Sequence, residues 1–245
     1  RFASHLFKIA LQYRSGLPCV RSQVAGLQCR CKTRRSGKRN VMDEYGFHLS
    51  SCPLGGWRIK RHDKVNCEVG AGMRTAGNKA TWSDAEALYH ALPSHRKERG
   101  SRTRVHRIPD VTAEDQHGSR IAVDCMITRA KPSGHKELEA ARAGERMKFN
   151  GYEHFLQKCS VECPHDPRLQ TTIVPFVLET HGAAGPEACK LMAATKHQFG
   201  HVVLPREDQS SEAIFFAAWA YRVSTALQIG TAEMIHNIAL GNTTK

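Results

Sequence analysis

No stretch of this 245-residue chain approaches the roughly 20 consecutive apolar residues that a membrane-spanning helix needs. The best candidate, Ala213 to Ala220, is broken at once by Tyr221-Arg222. No secretory signal is visible in it either. The expected setting is therefore intracellular and reducing, nuclear or cytoplasmic, with no membrane partner. An even cysteine count is lacking too: there are nine, and without a leader that argues against a disulfide framework and for metal ligation by some of them. Internal repeats and low-complexity tracts are absent. With 40% apolar and 24% charged residues, the chain should build a packed core rather than stay disordered. It opens on Arg1 without an initiator Met, and is expected to be a fragment of a longer polypeptide.

Acidic residues are scarce in one half only. Residues 1–107 hold 22 Lys/Arg against 7 Asp/Glu, a net +15, whereas residues 108–245 hold 14 against 16, a net −2. The basic half reads as a polyanion-binding surface with nucleic acid as the leading partner. The blander reading is a solvated basic surface, although a single-sign excess is unusual for solubility alone.

Apolar periodicity places the elements. Phe2, Leu6, Ile9 and Tyr13 recur at helical spacing, predicting a helix over 2–14 that Gly16-Leu17-Pro18 ends. Residues 57–75 are predicted helical, with Ile59, Val65, Val69 and Met73 on one face and Gly77 as the stop. Residues 93–107 form a basic linker. A hairpin is predicted over about 106–128, with Gln116-His117-Gly118-Ser119 as its turn. A long helix over 136–158 follows, then a strand from Thr171 to Thr180 whose Pro175 predicts an edge or a bulge. Gly182 to Gly185 turns the chain, Pro186 opens a helix to about 198, and a last helical region covers 210–240. This order predicts an α/β layout around a small central sheet. The expected division is a helical lead-in over 1–26, a small module over 27–56, and a main domain over 57–245.

The small module is too short to bury a core, and its cysteines suggest what replaces one. Cys29-x-Cys31, sixteen residues, then His48-x-x-x-Cys52 gives two chelating pairs of a kind that suits tetrahedral Zn²⁺. Metal would then supply the module's folding free energy. Its spacer carries Lys32, Arg34, Arg35, Lys38 and Arg39, which puts positive charge on the stapled loop. Unrelated buried thiols are the competing reading. A second cluster, His154, Cys159, Cys163 and His165, is either a rival metal site or core cysteines beside a solvated loop.

Two carboxylates carry the remaining chemistry. Asp110 follows Pro109 at a strand end, and Asp124 lies inside the apolar run Ile121-Ala122-Val123-Asp124-Cys125-Met126-Ile127. Paired as a hairpin, the two runs bring both side chains together as hard oxygen ligands for Mg²⁺ or Mn²⁺. A carboxylate inside such a strand is costly to bury unless paired or metal-bound. The next helix offers Glu145, Lys148 and Tyr152 on one face. Lys148 could reach a scissile phosphate or orient a water. Alternatively, Glu145 and Lys148 form an exposed ion pair worth little. Glu179, at a strand end, either faces the same site or caps the turn before Gly182.

Proline-aspartate, a second acid in the following strand and a nearby lysine resemble the PD-(D/E)xK restriction-endonuclease-like nucleases. Cys29-x-Cys31, His48-x-x-x-Cys52, Arg61-His62-Asp63, Pro109-Asp110, Asp124 and Lys148, in that order, resemble more narrowly the endonuclease region that follows the reverse transcriptase in some non-LTR retrotransposons. Phe176 to Gly182 and Gly185 to Ala188 resemble the tail of such polyproteins, so the likeness runs from about residue 2 to 240. The chain departs where a strict D-x-K puts lysine: Met126 stands there. The resemblance implies a restriction-endonuclease-like core of small mixed sheet and flanking helices, with a zinc knuckle ahead of it. It implies Asp110 and Asp124 as ligands of the catalytic ion, Lys148 in the lysine role, and Glu68 as a helical acid of the site. Zinc would be held by Cys29, Cys31, His48 and Cys52. Arg61 and His62 would contact DNA or support the site, alongside the basic loop of Arg34, Arg35, Lys38 and Arg39. Two functions follow as expectations: a metal-dependent endodeoxyribonuclease working with a reverse transcriptase domain on DNA, with element RNA as a further candidate partner, or a zinc-containing nucleic-acid-binding module that no longer cleaves.

Overall fold

The computed structural model describes residues 3–32, 39–81, 109–115, 117–129, 138–162, 164–165, 171–202 and 209–241. The elements run α1 (Ser4–Arg14), β1 (Gln28–Lys32), β2 (Arg39–Val41), two single 3₁₀ turns (Leu49–Ser51 and Leu54–Gly56), α2 (Trp57–Thr75), β3 (Lys79–Thr81), β4 (Val111–Glu114), β5 (Arg120–Thr128), α3 (Glu139–Glu162), β6 (Thr172–Glu179), α4 (Pro186–Val202) and α5 (Gln209–Ala239). The protein is a mixed α/β chain with a small mixed sheet flanked by helices. None of the described helices is long and apolar enough to cross a membrane.

Two compact units form. The first joins Arg1–Val65, Thr180–Ala183 and Tyr221–Lys245; the second joins Asn66–Glu179 and Ala184–Ala220. This partition differs from the expected three consecutive segments. The cysteine module has too few apolar residues for a core of its own, so it shares one. Cys29, Cys31, Met42, Leu49 and Cys52 pack with Tyr13 of α1 and with Met234, Ile235 and Ile238 of α5. Tyr13 anchors that core by hydrogen bonds as well. Its hydroxyl is bonded to Ser50 Oγ at 2.9 Å and Thr180 Oγ1 at 3.0 Å, and its ring stacks on His181 at 4.8 Å. Two residues of the Glu179-Thr180-His181-Gly182 run therefore belong to the first unit's core.

The second unit is built on a four-stranded sheet of order β3-β4-β5-β6. The β4–β5 hairpin appears as expected, with Val111 opposite Val123 and Glu114 opposite Arg120. Asp115 closes it: its Oδ1 accepts the N–H groups of His117 and Ser119 at 2.8 Å each, and Gly118 takes φ +80. An Asp in this turn supplies acceptors that the backbone cannot. β6 runs parallel to β5, Asp124 standing opposite Pro175. A parallel neighbour needs a long crossover, and the 24-residue α3 provides it. β6 is an edge strand, which is where its proline is tolerated. β3 pairs with β4 in a stretch that shows no strand pattern in the sequence.

α2 ends as its sequence predicts. Asn78 N–H reaches Met73 O at 3.1 Å and Gly77 N–H reaches Arg74 O at 3.0 Å, with Gly77 at φ +90. This is the Schellman arrangement, which calls for glycine. Gly72 has a different duty, because it lets the Trp219 indole of α5 lie against α2. The indole N–H donates to Glu68 O at 2.9 Å. A Cβ at position 72 would overlap that indole ring. Alanine favours a helix over glycine by at most about 1 kcal/mol, while forced overpacking typically costs about 1–3 kcal/mol. Gly72→Ala is therefore expected to destabilise the second unit, read as a lower urea midpoint with an unchanged slope; a raised midpoint would contradict this packing.

Candidate functional site

The cysteine cluster comes together as the spacing implied. β1 carries Cys29 and Cys31, while His48 and Cys52 flank the turn Leu49–Ser51. Their ligand atoms all lie within 4.8 Å of one another. Cys29 Sγ is 3.6 Å from Cys52 Sγ, and Cys31 Sγ is 3.3 Å from His48 Nε2. A tetrahedral zinc with bonds of about 2.3 Å to sulfur and 2.0–2.1 Å to nitrogen requires separations of roughly 3.5–3.8 Å. The donor set therefore suits a metal ion such as zinc, with shifts of up to about 1 Å bringing the four atoms to that spacing. The surrounding bonds orient it. Asn40 Nδ2 donates to Cys31 Sγ at 3.2 Å, and Asp43 accepts the N–H groups of Phe47 at 2.9 Å and His48 at 2.8 Å. Burial pushes the Cys29 and Cys52 thiols up. Cys31 is also penalised by burial, but the Asn40 amide and the Cys29 and Cys52 side chains outweigh that and bring it down. Converging buried thiols ionise together only when a cation offsets their charge. Asn40 and Asp43 are supporting residues that the motif spacing did not signal.

The second unit gathers the carboxylates. Asp110 sits one residue before β4, where its N–H donates to Val123 O at 2.9 Å. Continuing the β4–β5 register by one step sets Asp110 across from Asp124. The Asp110 carboxylate is fixed by Cys125, whose N–H donates to Oδ2 at 2.7 Å. Asp124 is buried within β5, and the Lys148 ammonium of α3 pairs with its Oδ1. Both members are shielded, at 18% side-chain exposure for Lys148 and 7% for Asp124, so this is not a solvated surface pair. Burial raises the Asp124 carboxyl above the ordinary range; Lys148 opposes this, the nearby Asp110 charge adds to it, and the Tyr152 hydroxyl pulls the other way. The small residue Gly144 lets α3 approach the sheet: a Cβ there would lie 3.0 Å from Val177 Cγ1 and 3.2 Å from Met126 Sδ. Ala141, Gly144, Lys148 and Tyr152 thus form the stripe of α3 that meets β5 and β6.

Two acids have other duties. The alternative reading, an exposed pair of Glu145 with Lys148, is not what forms. Glu145 is buried and its Oε1 accepts the N–H of Glu187 at 2.9 Å in the first turn of α4. Gly185 makes room, since a Cβ there would overlap the Glu145 carboxylate. Burial pushes Glu145 up, while the Glu187 N–H holds it down in part. Glu179 is buried at the end of β6. Its Oε1 accepts the N–H of Ala141 at 3.3 Å in the first turn of α3. Each carboxylate meets the positive end of a helix that sequence spacing does not connect to it.

The remaining candidate residues lie on α2 and in the basic loop. Glu68 is half-buried on α2, where its backbone carbonyl receives the Trp219 indole N–H. His62 is half-buried, with Nδ1 3.7 Å from Asp63 Oδ1. Arg61, expected to contact DNA or support the site, is only 3% exposed. Its Nη1 donates to Ser50 O at 2.8 Å, and burial pushes its guanidinium down to about 10. A buried, internally bonded guanidinium cannot grip a phosphate, so Arg61 is a framework residue of the first unit. Arg39 is exposed on β2. Arg34, Arg35 and Lys38 lie outside the described residues, as do Cys163 and the side chains of His154 and Cys159 from the rival cluster.

No protein-family model matches the chain, and no curated protein matches it.

The cysteine cluster leads to a direct expectation. The purified protein should carry one zinc per chain by atomic emission, lost in Cys52→Ala and kept in Cys67→Ala, whose thiol is exposed and outside the cluster. Structural zinc is worth on the order of 10 kcal/mol, so chelation should unfold the first unit. Full zinc content in Cys52→Ala would contradict the assignment.

Proposed function

We propose that this chain is the restriction-endonuclease-like, PD-(D/E)xK, nuclease domain of a non-LTR retroelement polyprotein. It nicks DNA and leaves a 3′-hydroxyl from which a neighbouring reverse transcriptase domain primes synthesis. The observation that carries this reading is one constellation: Asp110 held across from Asp124 on adjacent strands, with Lys148 delivered to Asp124 from the crossover helix. The order β4–β5–α3 matches the proline-aspartate, acid and lysine order of that nuclease group. It also accounts for Met126 at the D-x-K position, because the ammonium arrives from α3 instead.

The donor chemistry suits a hard divalent cation. Asp110 and Asp124 are two carboxylates close enough for one to raise the other's affinity for protons. Held between them, Mg²⁺ or Mn²⁺ would supply a more acidic water and neutralise charge on the phosphate. The protein's own groups do the rest. Cys125 N–H fixes the Asp110 carboxylate. Lys148 offers a fixed positive charge where the phosphoryl oxygens gain negative charge, in a site shielded from water. Glu179 and Glu145 secure α3 at its first turn and against α4, which keeps Lys148 in register with β5. In the hydrolysis, the bond from water oxygen to phosphorus forms, the bond from phosphorus to the 3′-oxygen breaks, and that oxygen takes up a proton.

The excess of 22 Lys/Arg over 7 Asp/Glu in residues 1–107 supports DNA as the polyanion. A second reading, a zinc-containing nucleic-acid-binding module without cleavage, is favoured by one observation. Lys148 already pairs with Asp124 Oδ1, so the buried carboxylate's charge is met without a metal ion.

Nicking of supercoiled plasmid separates the two. With Mg²⁺ or Mn²⁺ the zinc-loaded protein is expected to nick, and EDTA applied briefly to stop it. Asp124→Asn, which keeps the side-chain shape, should abolish nicking while salt-sensitive DNA binding stays within a few-fold. Lys148→Met should cost about 100-fold or more. Intact binding without nicking by the wild type would select the second reading, and metal-dependent nicking unaffected by Asp110→Asn would refute the site.

A further inference from the structure

The first unit contains a cavity of about 590 Å³, within the range of small-molecule sites. It opens between α1, the segment 18–24 and the end of α5. Its floor is apolar, formed by Ile9, Val20, Val24 and Ile235 among others. Its polar groups are almost all cationic or protonatable: His5 and Lys8 from α1, Arg21 from the connecting segment and His236 from α5. Among the described residues, no Asp or Glu lines it. The His5 and His236 rings stand 4.8 Å apart at 47°, so two imidazoles face one mouth. Burial holds the His236 imidazole below its ordinary range, with His5 and Arg21 adding to the effect, which marks a positive potential at that mouth. An apolar hole with a mostly basic rim suits a ligand with a flat apolar body and an anionic end.

We propose that this cavity binds one unstacked nucleotide of a single-stranded nucleic acid, its base against Ile235 and Val24 and its phosphates on Lys8, Arg21 and the His5–His236 pair. A nucleotide fits because every base has an apolar face of low hydration and carries its charge at one end only. Imidazole rings stack on bases, and Lys and Arg neutralise backbone phosphates. The inference rests on the nucleic-acid reading above but not on cleavage. It assigns single-strand capture to the first unit, apart from the carboxylates of the second. A strand opened at a nick, or an RNA end, is the class of ligand that presents such a nucleotide.

The test compares an oligothymidylate with an abasic strand of equal length and equal phosphate number, by fluorescence anisotropy at fixed salt. The zinc-loaded chain is expected to bind the thymidylate about tenfold tighter. Ala239→Trp, which fills the cavity from the end of α5, should remove that advantage and leave the abasic affinity unchanged. Lys8→Glu with Arg21→Glu should weaken both strands; both positions are exposed, and zinc content and circular dichroism check the fold. Equal binding of the two strands by the wild type would overturn the proposal. So would an undiminished advantage in Ala239→Trp. Thymidine 5′-monophosphate that binds tighter than the strand would reassign the cavity to a free nucleotide and overturn the strand as its source. Plasmid nicking is read on the same preparation. Nicking without base-dependent binding refutes the cavity alone, whereas base-dependent binding without nicking supports the cavity and removes the nuclease.

Discussion

A carboxylate buried in the middle of a sheet is the constraint around which the second unit is arranged. Asp124 lies in β5 among Ala122, Val123 and Cys125, all of them buried. An unpaired charge there would cost several kcal/mol, so the structure must supply a cation. Lys148 supplies it, and that demand sets where α3 crosses the sheet. Gly144 permits the approach one turn earlier, and Tyr152 continues the same stripe one turn later. The helix is then secured at points remote in sequence. Glu179 closes its first turn from the end of β6, and Glu145 reaches out from it to open α4. Replacing such a pair by apolar residues would often stabilise a protein. Its place inside a small sheet, with a second carboxylate across the ladder, is what the proposed nuclease reading rests on.

The first unit solves a different problem. Its β1–β2 ribbon and 3₁₀ turns bury too little to stand alone. Three thiols and an imidazole converge where a metal can staple them, and Tyr13, Met234 and Ile235 from distant segments complete the core around the staple. Arg61 locks into this unit through Ser50, and Gly230 makes space for it, since a Cβ there would come within 2.7 Å of Arg61 Cγ. A metal held by this cluster and the apolar packing around it would then support one another.

Much of this was legible because it is local. The Met73–Asn78 helix stop, the Asp115–Ser119 turn and the Pro186 helix start depend on residues within six positions of each other. The pairing of Asp110 with Asp124 was legible because a hairpin is the shortest route between strands. The Cys-His cluster was legible from chelate spacing. What sequence could not show is non-local. Lys79–Thr81 is a three-residue strand whose only reason to extend is its partner β4. Glu145 and Glu179 cap helices 42 and 38 residues away in sequence, and neither spacing carries a signal. Arg61 reads as a surface base until the fold encloses it, because charge count says nothing about burial.

The central claim is that Asp110 and Asp124 jointly hold one divalent ion while Lys148 remains in place. Electron paramagnetic resonance titration of Mn²⁺ into the zinc-loaded protein tests it without depending on turnover. One bound Mn²⁺ per chain, lost in Asp110→Asn and in Asp124→Asn with zinc content unchanged, is the result expected. No bound Mn²⁺, or equal binding in the two variants, would contradict it and leave the carboxylates as partners of Lys148 and the backbone alone.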